Sequence, residues 1–139
     1  MSKSDEAVVR RFYEEMNNGR KNDIAPELFT ADHAFHDPQI QAENGPEGVV
    51  ETVTTYQVGL DGHWHIDDIF STGDKVVVRW TGEGTHVGDV NGMPATGKKV
   101  LDISAISIHR MEKGKIAETW EVWDTLGFLQ QLGVVPAMG

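Results

Sequence analysis

The 139-residue chain carries 22 acidic and 12 basic side chains, a formal charge of −10, which argues against nucleic acid or an anionic membrane as its main partner. It has no cysteine, so disulfides and thiolate chemistry are excluded, and no apolar run approaches the length of a membrane span. The length suits one domain, residues 1–139, and the first residues lack the apolar stretch of a signal peptide, so the expectation is a soluble cytoplasmic protein.

Ser4 to Asn17 reads as an amphipathic helix, capped by Ser4, with Val8, Val9, Phe12, Tyr13 and Met16 on one stripe. Gly19 stops it. Asp23 is placed to cap a short second helix through Leu28, with Pro26 in its first turn. Asp32 to Pro38 reads as a short extended piece ended by the proline. Gly45-Pro46 opens a third helix carrying Val49, Val50, Val53, Tyr56 and Leu60, whose β-branched residues make it weak on propensity alone. His63–Phe70 and Lys75–Glu83 form a hairpin about Ser71-Thr72-Gly73-Asp74. Gly84 to Gly97 is a glycine-rich crossing.

The crossing leads into a strand from Lys99 to Arg110, a turn at Met111 to Lys115, a second strand and a closing helix, Thr125 to Leu132. Gly114 fits the left-handed end of a three-residue loop. Such a loop pairs positions whose numbers sum to 226, Ser107 with Thr119 and Ala105 with Glu121. Strand side chains alternate between faces. One face then carries Ile103, Ala105, Ser107, His109, Thr119, Glu121 and Trp123. The other, with Ile106, Ile108, Glu118, Trp120 and Val122, is more uniformly apolar, and is expected to be a subunit interface. Helices followed by a run of strands predict an α+β fold, with helices packed on one face of an antiparallel sheet.

Several motifs are together specific. They are Arg10-Arg11 with Asn17-x-Gly19, Thr85-His86-Val87-Gly88, Gly92-Met93-Pro94 with Thr96, and Arg110, Gly114-Lys115-Ile116, Asp124, Gly127 and Gln131-Leu132-Gly133 near the end. Through them the chain resembles the SnoaL-like polyketide cyclases of the nuclear transport factor 2-like superfamily. The resemblance implies a cone, a strongly curved sheet wrapped about the helices around a closed cavity. It also implies a cofactor-free intramolecular aldol ring closure on a polyketide ester, with no metal, and an apolar polyketide-like substrate. Matched along Gly114-Lys115-Ile116, the family's catalytic histidine falls on Ser107 and its aspartate on Glu121.

An aldol closure needs a base for a proton α to a carbonyl, donors for the enolate oxygen, and an acid for the new alkoxide. Glu121, beside Trp123 in a small apolar chamber, is the first candidate acid/base, since desolvation raises a carboxylate's pKa. Its plain alternative is a solvated strand carboxylate paired with Lys or Arg. Asp124 is the second candidate, or simply the cap of the closing helix. Ser107, His109, His36, Trp80, Trp123 and Tyr56 are expected around the ligand. His109 is placed near the rim because it lies near the turn, and is a possible stand-in for the missing histidine. His36 is placed at the cavity mouth. His63 and His65 share a strand face at metal-ligand spacing, but no further ligand completes a site. His86 reads as equally well structural. Other chemistry on the same cone (isomerase, hydratase, epoxide hydrolase) and a non-catalytic binder remain open, because one fold hosts many functions. A homodimer or homotetramer is expected.

Overall fold

The computed structural model describes residues 2–136. Helix α1, Ser2–Arg11, continues without a break into a wider π-helical turn, Phe12–Asn18. The helix thus starts before Ser4, which lies inside it and is not its N-cap. The wide turn ends where Gly19 N–H donates to the Glu14 carbonyl, a five-residue step, and π turns of this kind are frequent at functional sites. It buries Phe12, Tyr13, Met16 and Asn17. The short second helix is a 3₁₀ turn, Asn22–Ile24, followed by α2, Ala25–Leu28. Asp23 therefore sits inside the 3₁₀ turn rather than at a cap. Next come β1, Phe29–His36, and α3, Pro46–Leu60. The sheet is completed by β2, His63–Thr72, β3, Lys75–Thr85, β4, Lys99–Glu112, and β5, Lys115–Trp123. Helix α4, Thr125–Leu132, closes the described chain. Among the described residues no helix is long and apolar enough to cross a membrane.

The five strands run in the order β1-β5-β4-β3-β2. The fold is α+β as expected, but the sheet is mixed: β1 lies parallel to β5 while the other pairs are antiparallel. The antiparallel expectation missed this because β1 joins the sheet beside the last strand, a long-range choice that no local pattern reports. Every ladder carries a register shift. Bulges bend strands and increase twist, so the sheet curls about the helices. Helix α1 accordingly touches β2, β3 and β5. The core between them includes Val9, Phe12, Tyr13, Met16, Phe29, Val49, Val76, Val78 and Ile116. A second cluster of Leu60, Val90, Val100, Ile103, Phe128 and Leu132 seats α4.

The β4–β5 turn has two residues, not three. Lys113 and Gly114 are both left-handed, at φ 52° and 80°, and Glu112 pairs with Lys115. That is a primed hairpin turn. Alone it would shift the sum of paired positions to 227 and flip one strand's faces. A bulge between Arg110 and Met111 restores the parity, so Ser107 faces Glu121 and Ala105 faces Trp123. The face assignment survives while the pairing within it moves by one step. A second bulge changes the start of β4. Asp102 is left-handed, at φ 56°, and the alternation reverses around it. Val100 is buried and Leu101 is exposed.

Candidate functional site

The concave face encloses a cavity with an open mouth, concave and mostly apolar as small-molecule sites are. Its wall is mainly apolar and aromatic, with Phe12, Tyr56, Trp64, Trp80, Trp123 and Phe128 prominent. Each comes from a different part of the chain: the wide turn, α3, β2, β3, β5 and α4. The polar groups that reach it include Glu121, Tyr13 and Asn17. Asn17 is buried and its Oδ1 has no hydrogen-bond partner.

Glu121 stands on the floor of this cavity. Its Oε1 accepts from Ser107 Oγ at 2.9 Å. Ser107 Oγ in turn accepts from Trp80 Nε1 at 3.0 Å. Burial pushes the Glu121 carboxyl up to about 8. The Ser107 hydrogen bond opposes that rise. The neighbouring Asp37 adds to it, because its carboxylate repels a second charge and hydrogen-bonds the protonated form. Asp37 Oδ2 also accepts from Trp123 Nε1 at 3.3 Å. Two carboxyls, two indoles and a serine thus form one connected cluster. Tyr56, in edge contact with Trp123 at 5.9 Å, accepts from Asn91 at 3.4 Å and has a hydroxyl proton to offer a ligand. Burial raises its pKa, as it does that of Tyr13.

Behind the cavity wall lies a second polar group. Tyr13 Oη meets His109 Nε2 at 2.9 Å, His109 Nδ1 meets Thr119 Oγ1 at 2.9 Å, and Thr119 Oγ1 meets His33 Nε2 at 2.9 Å. Both imidazoles are fully buried. Burial holds His33 down at about 4 and His109 at about 3, so both are neutral at physiological pH.

Of the residues expected at the ligand, Glu121, Trp80, Trp123 and Tyr56 line the cavity, and Ser107 touches two of them. Three others lie elsewhere. His109 is not at the rim but fully buried behind Tyr13. The curl of the sheet lays the wide turn over this end of β4, so nearness to the hairpin turn does not mean exposure. His36 is outside, stacked on Trp120 at 5.5 Å and bonded to Glu118 at 2.7 Å. It is the last residue of β1 and points to the convex face, while the next residue, Asp37, turns inward. Asp124 is exposed and its Oδ1 caps α4, accepting from Gly127 N–H at 2.9 Å. His63 pairs with Glu83 and His65 with Asp67. Among the described residues no cluster of three or more His, Cys, Asp or Glu could hold a metal. His86 is buried and accepts from Thr96 N–H at 3.2 Å, holding the glycine-rich crossing together.

Reading the sequence missed Asp37, Tyr13 and Asn17 as site residues. Asp37 directly follows His36, the residue expected at the cavity mouth. Tyr13 lies on an apolar stripe and reads as core. No local signal marks either: Tyr13 is buried and Asp37 half-buried only once the helices and β1 pack against the sheet.

A family profile described as SnoaL-like polyketide cyclase matches residues 7–132. The chain is 32% identical to the aklanonic acid methyl ester cyclase DnrD of Streptomyces peucetius, over 91% of this chain and 88% of that protein. It is also 32% identical to the aklanonic acid methyl ester cyclase DauD of Streptomyces sp. strain C5, over 91% and 80%. Among solved structures, TsrD from Streptomyces laurentii superposes with a TM-score of 0.83 at 27% identity, covering 95% of this chain and 96% of that one. A protein from Jannaschia sp. CCS1 has the same fold, at a TM-score of 0.84 and 21% identity over 98% and 96%. With the profile covering nearly the whole chain and two cyclases at this identity, the chain belongs to the SnoaL-like polyketide cyclase family.

Proposed function

We propose that the cavity closes a ring in a polyketide ester by an intramolecular aldol reaction, with Glu121 as the acid/base. The observation that carries this reading is the Glu121 carboxyl, buried on an apolar floor and raised to about 8. In its ionised form Glu121 takes a proton from the carbon α to a carbonyl, leaving an enolate. The enolate carbon attacks a ketone of the same chain; a C–C bond forms and the C=O π bond becomes an alkoxide. The protonated Glu121 returns its proton to that alkoxide, so the cycle gains and loses none. A carboxyl near 8 suits both halves, since efficient acid/base groups have pKa values close to the working pH. The Tyr56 hydroxyl supplies a donor for the developing oxyanion, and the aromatic wall keeps water away from the enolate.

Ser107 stands where the family histidine falls and has no acid/base role near neutral pH, so both proton transfers fall to Glu121, whose carboxyl the neighbouring Asp37 helps to hold up. The scheme uses neither metal nor cofactor. The substrate class follows the two curated relatives, both named for a methyl ester, and the apolar wall fits a polyketide-like molecule rather than a nucleic acid or a membrane. The protein works in the cytoplasm, with the convex face of β4–β5 joining two copies.

Glu121→Gln keeps size and hydrogen bonding while removing proton transfer. On a polyketide methyl ester, turnover should fall by about 10² to 10⁴-fold with ligand binding little changed. Turnover within a few-fold of wild type would remove Glu121 from the chemistry.

A further inference from the structure

The wide turn of the first helix ends in two asparagines that the fold uses differently. Asn18 is spent on structure. Its Nδ2 donates to the Trp64 carbonyl at 2.7 Å, and its Oδ1 accepts from the Trp64 N–H at 2.8 Å. These two bonds clip the turn to the start of β2. The Asn17 backbone is held as well, since its carbonyl accepts from Gln57 Nε2 at 3.0 Å and from Arg20 Nη1 at 2.6 Å. The Asn17 side chain takes no part in this. It is 1% exposed, it stands on the cavity wall, and its Oδ1 has no hydrogen-bond partner.

Other polar side chains on that wall are engaged. Glu121 accepts from Ser107, Tyr13 pairs with His109, and Thr52 donates to the Gly48 carbonyl. A buried amide oxygen left unpaired is costly, and a leucine would occupy similar space without that cost. The fold therefore does not account for the amide, and the cavity beside it does. An amide oxygen only accepts, so what completes it must bring a donor. A ligand ketone, ester or ether oxygen does not serve; a hydroxyl does. Rotation about the Cβ–Cγ bond turns Oδ1 toward the cavity without moving the pinned backbone.

We propose that Asn17 is a specificity-determining residue, whose Oδ1 accepts a hydrogen bond from a hydroxyl on the part of an apolar ligand remote from Glu121. The remoteness follows from the strand order. Glu121 lies on β5, and the turn that carries Asn17 is clipped to β2, with β4 and β3 between them. Three strand spacings make about 14 Å along the sheet, and less across its curl. Aromatic wall residues, Trp80 of β3 among them, lie between the two polar points. That the hydroxyl belongs to a polyketide substrate rests on the cyclase reading; the hydroxyl site itself rests on the cavity alone.

The deciding measurement is binding, not turnover. Two probes of matched shape are compared, 2-naphthol and 2-methylnaphthalene, which differ by a hydroxyl in place of a methyl group. The ratio of their Kd values in the wild type is the reference, so the greater hydrophobicity of the methyl probe cancels. In Asn17→Leu the ratio should shift about tenfold toward 2-methylnaphthalene, the worth of one hydrogen bond. In Glu121→Gln it should stay as in the wild type. An unshifted ratio in Asn17→Leu, a shift in Glu121→Gln instead, or no binding of 2-naphthol to the wild type would each overturn the proposal. A second measurement needs no variant. In the wild type the Asn17 side-chain carbonyl ¹³C resonance should lie further downfield with 2-naphthol bound than with 2-methylnaphthalene bound, and the same position with both would also overturn it. If Glu121→Gln left turnover unchanged while the probe ratios behaved as stated, the cyclase reading would fail and the hydroxyl site would stand.

Discussion

The two faces of the β4–β5 hairpin invert the usual rule. Its concave face, turned into the protein, carries Ser107, His109, Thr119 and Glu121. Its convex face, turned outward, carries Ile106, Ile108, Trp120 and Val122, of which Ile106, Trp120 and Val122 are exposed. Buried polar groups are costly unless hydrogen-bonded, and here each of the four inner ones has a partner. A core built only for stability would place apolar residues on that face. Polar groups inside are what the proposed chemistry asks of the inner face, and apolar ones outside are what the proposed subunit contact asks of the outer one.

The largest expected effect tests the inner face through pH. In the fold Glu121 stays protonated up to about 8, against 4.5 for an ordinary glutamate. Between these values the folded state binds more protons than the unfolded one. Stability from this group is therefore fully present below about 4.5 and declines as pH rises toward 8. The melting temperature of the wild type should drop across that window by more than that of Glu121→Gln. Parallel curves for the two proteins would mean that the carboxyl is not buried as described.

Ser107→Ala is the next test. It leaves the Trp80 indole N–H and one Glu121 oxygen without their shared partner. Buried groups left unpaired cost about 1–3 kcal/mol. Denaturant unfolding should show a loss in that range, with turnover lowered as well. An unchanged midpoint would mean that water replaces the serine hydroxyl and that the cluster is wetter than its geometry implies.

Asp124 gives a smaller effect and separates two carboxylates three positions apart. Glu121 ends up inside because its position in β5 shares the parity of Ser107 and Thr119. Asp124 follows the last residue of β5, where the chain leaves the sheet, and its carboxylate turns to the start of α4. Asp124→Ala should destabilise by about 0.5–2 kcal/mol through loss of the cap. Turnover per folded molecule should not change. A large loss of turnover at full stability would return Asp124 to the active site.

The same contrast shows what the sequence could tell. Alternation along β4 and β5 was enough to put Glu121, Ser107 and Trp123 on one face, and the motif set was enough for the family. The register was not legible, because two features compensate: a tighter turn at Lys113-Gly114 and a bulge at Arg110–Met111. Parity survives that exchange, while pairing does not. The partnership of Asp37 with Glu121 was not legible either. It depends on β1 lying parallel beside β5, a contact between segments more than eighty residues apart. His109 was misplaced for a related reason. Its distance from the turn is local information, but its burial under Phe12 and Tyr13 depends on how α1 and its wide turn cross the sheet.

The convex face should yield the smallest change in chemistry and the clearest change in assembly. Ile106 pairs with Val122 and Ile108 with Trp120 across the two strands, so the four side chains form one contiguous patch. Exposures of 46% for Ile106, 36% for Trp120 and 58% for Val122 are large for adjacent apolar residues on a sheet. Contiguous apolar patches mark association sites, and two-fold symmetric pairs are the commonest assemblies. Val122→Lys places a charge at the middle of the patch at an already exposed position, so folding stability should move by no more than about 0.5 kcal/mol. If the patch joins two copies, light scattering at micromolar concentration should show a dimer for the wild type and a monomer for Val122→Lys. Turnover per chain should stay within about twofold, because Val122 points away from the cavity that Glu121 and Trp123 line. A monomeric wild type would refute the interface. A variant that stays dimeric would move the interface off this face. A variant that becomes monomeric and loses turnover would mean that pairing holds the hairpin in the shape that keeps Glu121 beside Ser107, coupling the two faces.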